Sequence, residues 1–210
     1  LAIASWPTNL ILELYSNMQI LQSERPTIGY RAFPKSVFMV LPENFSLSAE
    51  SATDNVYMAN GAANNELALQ QSLRLAGALK TAGIPVVMFP GDANTPDAVF
   101  PNNAFASAEL QNSDFQSNDA SQIDPMVRGR YFTGVMRHPS RQRETARADL
   151  HHFFSQALGY EYLDFGATLA PGETAELTGC LVIDRARNIG FCGLSQRCSA
   201  VGARAMHTAF

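Results

Sequence analysis

The first half of the chain alternates apolar runs with polar or amphipathic stretches. Residues 36–41 form an apolar run that stops at a proline, and this pattern predicts a buried strand. Residues 65–82 carry apolar side chains at three-to-four spacing, which is typical of a helix, and Gly83 supplies a C-terminal stop. Residues 84–89 predict a second strand. The polar segment 43–64 is expected to be a loop.

The second half continues this alternation of apolar runs and one longer periodic stretch. In chain order the pattern predicts a strand at 103–107, a polar excursion at 108–129, a strand at 130–136, a helix at 143–158, a strand at 160–165, and strands at 177–184 and 189–193. The turn at 185–188 between the last two strands indicates a hairpin. Ser199 is the predicted N-cap of a final helix that runs to residue 210.

These elements predict an internal repeat of strand, strand, helix, strand. One copy runs from about residue 103 to 165, and a second begins at 177 and reaches only its helix. A half copy, helix 65–82 with strand 84–89, precedes them. Units of this kind bury their faces on one another, so a terminal unit is normally completed or capped. The pattern therefore predicts that the chain is part of a longer protein.

Composition excludes several classes of function. Hydrophobic residues make up 46% of the chain and charged residues 16%, which supports a packed α/β core rather than disorder. The net charge of -4 gives no electrostatic reason to expect nucleic acid or an anionic membrane as a partner. No run of about eighteen apolar residues occurs, so no membrane span is predicted.

The three cysteines, Cys180, Cys192 and Cys198, are too few and oddly numbered for a disulfide framework. No CxxC pair occurs and the four histidines are scattered, so the spacing does not predict a zinc site. Reduced thiols in a cytoplasmic protein without a metal or cofactor are expected.

The loop at 95–105 is the most distinctive stretch of the sequence. Pro96 and Pro101 stiffen it, because each fixes its own φ and restricts the preceding residue. Asp97, Asn102 and Asn103 give it one carboxylate and two amides, a set that suits the binding of a small polar ligand. The same residue types are common in surface turns, and that alternative is equally compatible with the sequence.

A second polar loop precedes strand 177–184 and contains Glu176. If the repeated units are arranged radially, equivalent loops converge, and Asp97 and Glu176 come near one pocket. Paired carboxylates suit a cationic substrate, since a planar guanidinium can take two parallel hydrogen bonds from one carboxylate. The alternative is that Glu176 only begins a strand.

Three motifs carry a resemblance to a known family: PDAVFPNN at 96–103, ELTGCLVIDR at 176–185 and GLSQR at 193–197. They resemble the guanidino-group-modifying superfamily of arginine deiminases, dimethylarginine dimethylaminohydrolases and amidinotransferases. The resemblance is strongest to its bacterial branch of citrulline-utilisation hydrolases and amidinotransferase-like proteins. The resemblance implies a five-bladed α/β propeller (pentein) over residues 35–210, incomplete at its C-terminus, with 1–34 as an extension. It also implies a cysteine nucleophile and a histidine acid–base oriented by a carboxylate.

Carried over to this sequence, the resemblance assigns a role to each matching residue. Asp97 pairs with the planar N–C–N group of the substrate, and Asn102 and Asn103 occupy ligand positions. Glu176 is the catalytic carboxylate that orients the histidine. Arg141 binds the substrate carboxylate, although Arg137 competes for that role.

The resemblance also implies an arginine- or citrulline-like substrate, no cofactor, and either hydrolysis or amidino transfer, and it is compatible with a homo-oligomer. The sequence departs from the family pattern at Leu177, where relatives have glycine. The family's histidine and cysteine are expected beyond residue 210, because His207 does not match the motif. This chain alone is therefore predicted to be inactive.

Two other classes compete with an enzyme. A truncated or degenerate relative would bind small molecules or partners without turnover. A nucleotide-binding α/β domain is disfavoured because Asp92 and Asp97 would repel phosphate and because neither phosphate-binding glycine motif occurs.

Overall fold

The computed structural model describes residues 36–46, 64–109, 127, 129–184, 187 and 189–210, all of which belong to one compact unit, Ala32–Phe210. The predicted extension 1–34 lies outside the described residues, and so does most of the polar excursion 108–129 and of the loop 43–64.

The first sheet contains two parallel strands. Strand β1, Val37–Val40, pairs with β2, Val86–Phe89, in the register Val37↔Val86. Helix α1, Asn65–Thr81, lies between them in the chain. The Asn64 side chain caps α1 by accepting from Leu67 N at 2.9 Å, and Gly83 follows the helix with a φ of 78°, which favours glycine. The predictions of strand 36–41, helix 65–82 and strand 84–89 are confirmed with small changes in their bounds.

The second sheet contains three strands in mixed orientation. Strand β3, Phe105–Glu109, is antiparallel to β4, Gly129–Thr133, and β4 is parallel to β5, Tyr160–Asp164. A helical connection joins β4 to β5, as parallel pairing requires. The predicted order of strand, strand, helical segment and strand between residues 103 and 165 is therefore confirmed.

The prediction of one continuous helix at 143–158 is wrong. The connection consists of α2, Pro139–Gln142, a 3₁₀ turn, Arg143–Ala146, α3, Ala148–His152, and a π-helical turn, Phe153–Ala157.

Two features explain this division of the connection. Arg147 leaves the helical region with ψ at 108°, and its guanidinium donates to Pro90 O and to Asp149. The wider π turn lets two consecutive rings pack on different partners. The ring centroids are 5.4 Å apart for Phe153 and Phe89 and 5.0 Å apart for Phe154 and Tyr131.

The last part of the described chain is a hairpin followed by a helix. A short helix α4, Phe165–Thr168, and a helical turn α5, Leu177–Cys180, precede it. Strand β6, Leu181–Asp184, is antiparallel to β7, Ile189–Cys192. Helix α6, Ala200–Ala209, begins where Ser199 Oγ accepts from Gly202 N at 3.0 Å. The hairpin and the Ser199 cap are confirmed.

The prediction of a strand over 177–184 is wrong in its first half. Leu177 has a φ of 23°, a value that does not fit an extended strand. Its side chain is fully buried. Burial of Leu177 therefore accompanies the turn α5, and the strand begins only at Leu181.

Strand β4 lies between two hydrophobic clusters. Tyr131 belongs to a cluster with Phe89, Phe105 and Phe154, whereas its neighbour Phe132 belongs to a second cluster. Alternate side chains of a strand point to opposite faces, so one strand contributes to both. The second cluster consists of Phe132, Phe165, Ala175, Leu177, Leu181, Cys198 and Met206. In the described part of the chain, no helix is long and apolar enough to cross a membrane.

Candidate functional site

The loop that follows β2 is a series of tight turns with a buried carboxylate. Backbone hydrogen bonds from Ala98 N to Thr95 O at 3.0 Å and from Phe100 N to Asp97 O at 3.1 Å hold these turns. A 3₁₀ turn, Pro101–Asn103, follows. Asp97 is only 3% exposed, so the alternative of a solvent-exposed surface turn is wrong for this residue.

The motif at 96–103 is in direct contact with the motif at 176–185. Asn102 Nδ2 donates to Thr178 Oγ1 at 2.8 Å, and Thr178 Oγ1 donates in return to Asn102 O at 2.7 Å. A Cβ at Gly179 would lie 2.9 Å from Asn103 Nδ2, so a larger residue there would displace the Asn103 side chain. Residues 76 positions apart are thereby brought into direct contact.

Glu176, the first residue of the motif at 176–185, is held in place by hydrogen bonds. Glu176 is 1% exposed, and its Oε1 accepts a hydrogen bond from Arg137 N at 3.0 Å. Its own N–H donates to Arg197 O at 3.0 Å. Oε2 lies 3.8 Å from the nearest Arg197 guanidinium nitrogen and accepts no hydrogen bond from the described residues. Glu176 precedes a helical turn, so the alternative that it only begins a strand is wrong.

Arg141 forms a buried ion pair beside these carboxylates. Its guanidinium donates to Glu144 Oε1 at 2.9 Å and to Glu144 Oε2 at 2.8 Å, and also to Phe100 O at 3.1 Å. The pair therefore connects α2 and the following 3₁₀ turn to the loop that carries Asp97. Three of the five N–H donors of Arg141 are thus used by partners among the described residues, which leaves two for a substrate.

Three carboxylates and the Arg141 guanidinium influence one another electrostatically in this region. Burial raises the pKa of the Glu144 carboxyl, the hydrogen bonds from Arg141 oppose this shift, and the nearby charges of Asp97 and Glu176 add to it. The same two carboxylates favour the charged form of Arg141. Asp97, Glu144 and Glu176 therefore all interact electrostatically with the Arg141 guanidinium, and Arg197 adds a second cation 3.8 Å from Glu176 Oε2.

The structure brings together all the residues that the sequence singled out: Asp97, Asn102, Asn103, Arg141 and Glu176 lie on contacting or electrostatically coupled segments. Sequence reasoning missed Glu144 and Thr178. The spacing of three between Arg141 and Glu144 was a signal for their pairing, because residues i and i+3 meet on one helical face.

The three cysteines also meet, although their spacing did not predict it. Their sulfur atoms all lie within 4.8 Å of one another. Cys192 Sγ and Cys198 Sγ are 3.4 Å apart, and Cys180 Sγ lies 3.2 Å from Leu177 O. Burial raises the pKa of Cys180 to about 11, so its thiol is protonated at neutral pH.

Comparison with known proteins relates this chain to one protein family. A family model described as N,N dimethylarginine dimethylhydrolase, eukaryotic, matches residues 41–210. The N-terminal domain of ArgZ, an arginine dihydrolase from the ornithine-ammonia cycle in Cyanobacteria, solved with its substrate, has a TM-score of 0.56 at 17% identity, covering 81% of this chain and 53% of that one.

DDAH from Pseudomonas aeruginosa, solved with citrulline, has a TM-score of 0.52 at 17% identity, covering 83% of this chain and 56% of that one. The chain thus spans about half the length of these two solved relatives. No curated protein sequence matches it. The family match over residues 41–210 and the shared mixed α/β fold lead to one conclusion: the chain belongs to the guanidino-group-modifying superfamily, in the family described as N,N dimethylarginine dimethylhydrolase.

Proposed function

We propose that this chain forms part of an enzyme that breaks a C–N bond in the guanidino or ureido group of an arginine- or citrulline-like small molecule. Water as the acceptor gives a hydrolase, and an amine gives an amidinotransferase. The proposal includes the five-bladed α/β propeller as the complete architecture, with the repeat between residues 103 and 165 as one blade.

The observation that carries this proposal is the contact between the two motifs, which buries two carboxylates in one region. Asp97 is 3% exposed and Glu176 is 1% exposed. The Asn102–Thr178 hydrogen bonds hold their segments together. A carboxylate in a buried site makes strong, charge-assisted hydrogen bonds to a cationic donor, so two such carboxylates suit a guanidino group. A planar guanidinium matches this chemistry, because it carries five N–H donors and a delocalised charge.

Each residue then has a defined task. Asp97 accepts two N–H groups of the substrate, and Asn102 and Asn103 line the same loop. Glu176 uses the oxygen that accepts no hydrogen bond from the described residues, Oε2, to orient the ring of a catalytic histidine. Arg141 remains the proposed partner of the substrate carboxylate, with Arg137 as the competitor.

The nucleophilic cysteine and the histidine are proposed to lie beyond residue 210. A nucleophile must reach the thiolate form, and burial instead raises the pKa of Cys180 to about 11 and shifts that of Cys198 upward as well. Cys180 and Cys198 are therefore poor candidates.

The test uses Asp97→Asn in the full-length protein, with release of ammonia or amine measured from L-arginine, L-citrulline and methylated L-arginine. The substitution keeps the shape but removes the charge and replaces an acceptor with a donor. Loss of a charge-assisted pair in a buried site costs about 3–5 kcal/mol, which corresponds to a hundredfold or larger drop in kcat/KM.

Asp92→Asn is the matched control, because Asp92 lies in the same loop but is exposed. It should leave kcat/KM within about threefold of the parent. A value for Asp97→Asn that also stays within this range would exclude substrate binding by Asp97. Saturable ligand binding without turnover by the full-length parent would instead favour the non-catalytic binding module.

A further inference from the structure

Three segments that are separate in the sequence bring the cysteines together. Cys180 ends α5 immediately before β6, and Cys192 ends β7, where it pairs with Leu181. Gly193 N donates to Cys180 O at 2.9 Å and keeps the two strand ends in register. Cys198 closes a tight turn through a pair of hydrogen bonds with Ser195, at 3.0 and 3.2 Å. Hairpin register and turn closure therefore direct three thiols to one point.

The sulfur geometry fits a metal ion. In a tetrahedral zinc–thiolate site with Zn–S bonds of about 2.3 Å, neighbouring sulfurs lie about 3.8 Å apart. The Cys192–Cys198 separation is 3.4 Å, and all three sulfurs lie within 4.8 Å. Adjustments on the order of 1 Å or less would bring each sulfur to bonding distance.

The surroundings select the type of ion. Cys198 is 1% exposed and belongs to the second hydrophobic cluster, while Cys180 and Cys192 pack on that cluster and are half-buried. Thiolate sulfur is a soft ligand that prefers Cu(I) or Zn(II) over Mg(II) or Ca(II). Within the described ranges, no His, Asp or Glu joins these three sulfurs in a ligand group. Cys180 and Cys192 keep partial solvent exposure, so an ion can reach the sulfurs from that side.

We propose that Cys180, Cys192 and Cys198 form a three-thiolate site for one soft d¹⁰ metal ion. Binding forms three metal–sulfur bonds, releases three thiol protons to solvent and changes no oxidation state. Cu(I) completes its coordination with three sulfurs, whereas Zn(II) takes a water molecule as a fourth ligand. The three ligands are distinct from the residues assigned to the proposed enzymatic function, because neither Asp97 nor the Glu176 carboxylate is one of them.

The ion would also tie together the segments that hold Glu176. Ala175 forms isolated bridges with Val135 and with Cys198, and Glu176 N donates to Arg197 O. Metal bonds to Cys180 and Cys198 would therefore clamp the chain on both sides of this residue. Because the ion binds the folded state, the melting temperature should rise with metal concentration.

The experiment titrates the anaerobic, reduced protein with Co(II), Zn(II) and Cu(I) in separate arms. One equivalent of Co(II) should produce sulfur-to-cobalt charge-transfer absorption, and Zn(II) should displace it. One equivalent of Cu(I) should move from a competing chelator to the protein. The arm with the tighter binding identifies the ion.

Single variants Cys180→Ser, Cys192→Ser and Cys198→Ala should each weaken binding by at least about tenfold to a hundredfold, since altering outer-shell partners already costs that much. Ser195→Ala is the matched control, because it changes the same turn without removing a sulfur, and it should bind like the parent. Binding that persists in every cysteine variant, or no stoichiometric binding in any arm, would overturn the proposal.

A cysteine variant can fail for lack of folding, so the melting temperature of each variant without metal is measured first. X-ray absorption of the metal-loaded parent gives an answer that needs no variant. Three sulfur neighbours per metal ion support the proposal, and two or fewer overturn it.

Discussion

The buried Arg141–Glu144 pair offers a sharp test of the reasoning about charge in this region. The side chains of Arg141 and Glu144 are 7% and 2% exposed, and two hydrogen bonds of 2.9 and 2.8 Å join them. Glu144→Gln keeps the side-chain volume but removes the negative charge, leaving Arg141 charged and buried. Breaking one partner of a buried pair costs about 3–5 kcal/mol in the free energy of unfolding.

The hairpin supplies a matched control. Arg187 and Asp184 are also three residues apart and 2.6 Å from each other, but their side chains are 74% and 29% exposed. Water and salt screen such a pair, so Asp184→Asn should change the free energy of unfolding by no more than about 1 kcal/mol. Asp184→Asn therefore removes a carboxylate from an exposed pair, and Glu144→Gln removes one from a buried pair.

The assay is urea unfolding at constant pH, with the midpoint and the slope determined for each variant. A double-mutant cycle with Arg141→Met separates the coupling of the pair from the cost of either change alone. The double variant Arg141→Met with Glu144→Gln should be more stable than Glu144→Gln alone, because it no longer leaves the Arg141 charge buried without the Glu144 carboxylate. Equal losses for Glu144→Gln and Asp184→Asn would refute the reasoning.

Two further predictions concern the backbone and the pH dependence. Leu177→Ala removes a fully buried side chain at a cost of about 2–5 kcal/mol. In urea unfolding, Leu177→Gly should be at least as stable as Leu177→Ala, because glycine accepts the φ of 23° without strain. A Gly variant less stable than the Ala variant would contradict this. Hydrogen bonds from Arg147 lower the pKa of Asp149, so this residue stabilises the fold above its unfolded pKa and loses that contribution as pH falls through the lower folded value. The melting temperature of Asp149→Asn should therefore fall less on acidification than that of the parent, and parallel profiles would contradict the assignment.

Local patterns were sufficient for the elements that depend on short-range interactions. The apolar runs at 36–41 and 84–89 are strands because β-branched and aromatic side chains favour a half-buried extended backbone. The helix at 65–82 follows from its three-to-four periodicity, and Ser199 caps the last helix through its own hydroxyl. The motif residues Asp97 and Glu176 were identified from residue types and family resemblance, before any geometry.

Tertiary contacts decided the features on which local signals are silent. The helix predicted at 143–158 breaks at Arg147 because the guanidinium finds Pro90 O, a partner 57 positions away. The strand predicted from residue 177 starts later, because Leu177 is buried in the second hydrophobic cluster within a helical turn. The three sulfurs meet only through hairpin register and the Ser195–Cys198 turn. Sequence patterns report interactions within a few residues, whereas burial and long-range pairing depend on which segments the complete fold brings into contact.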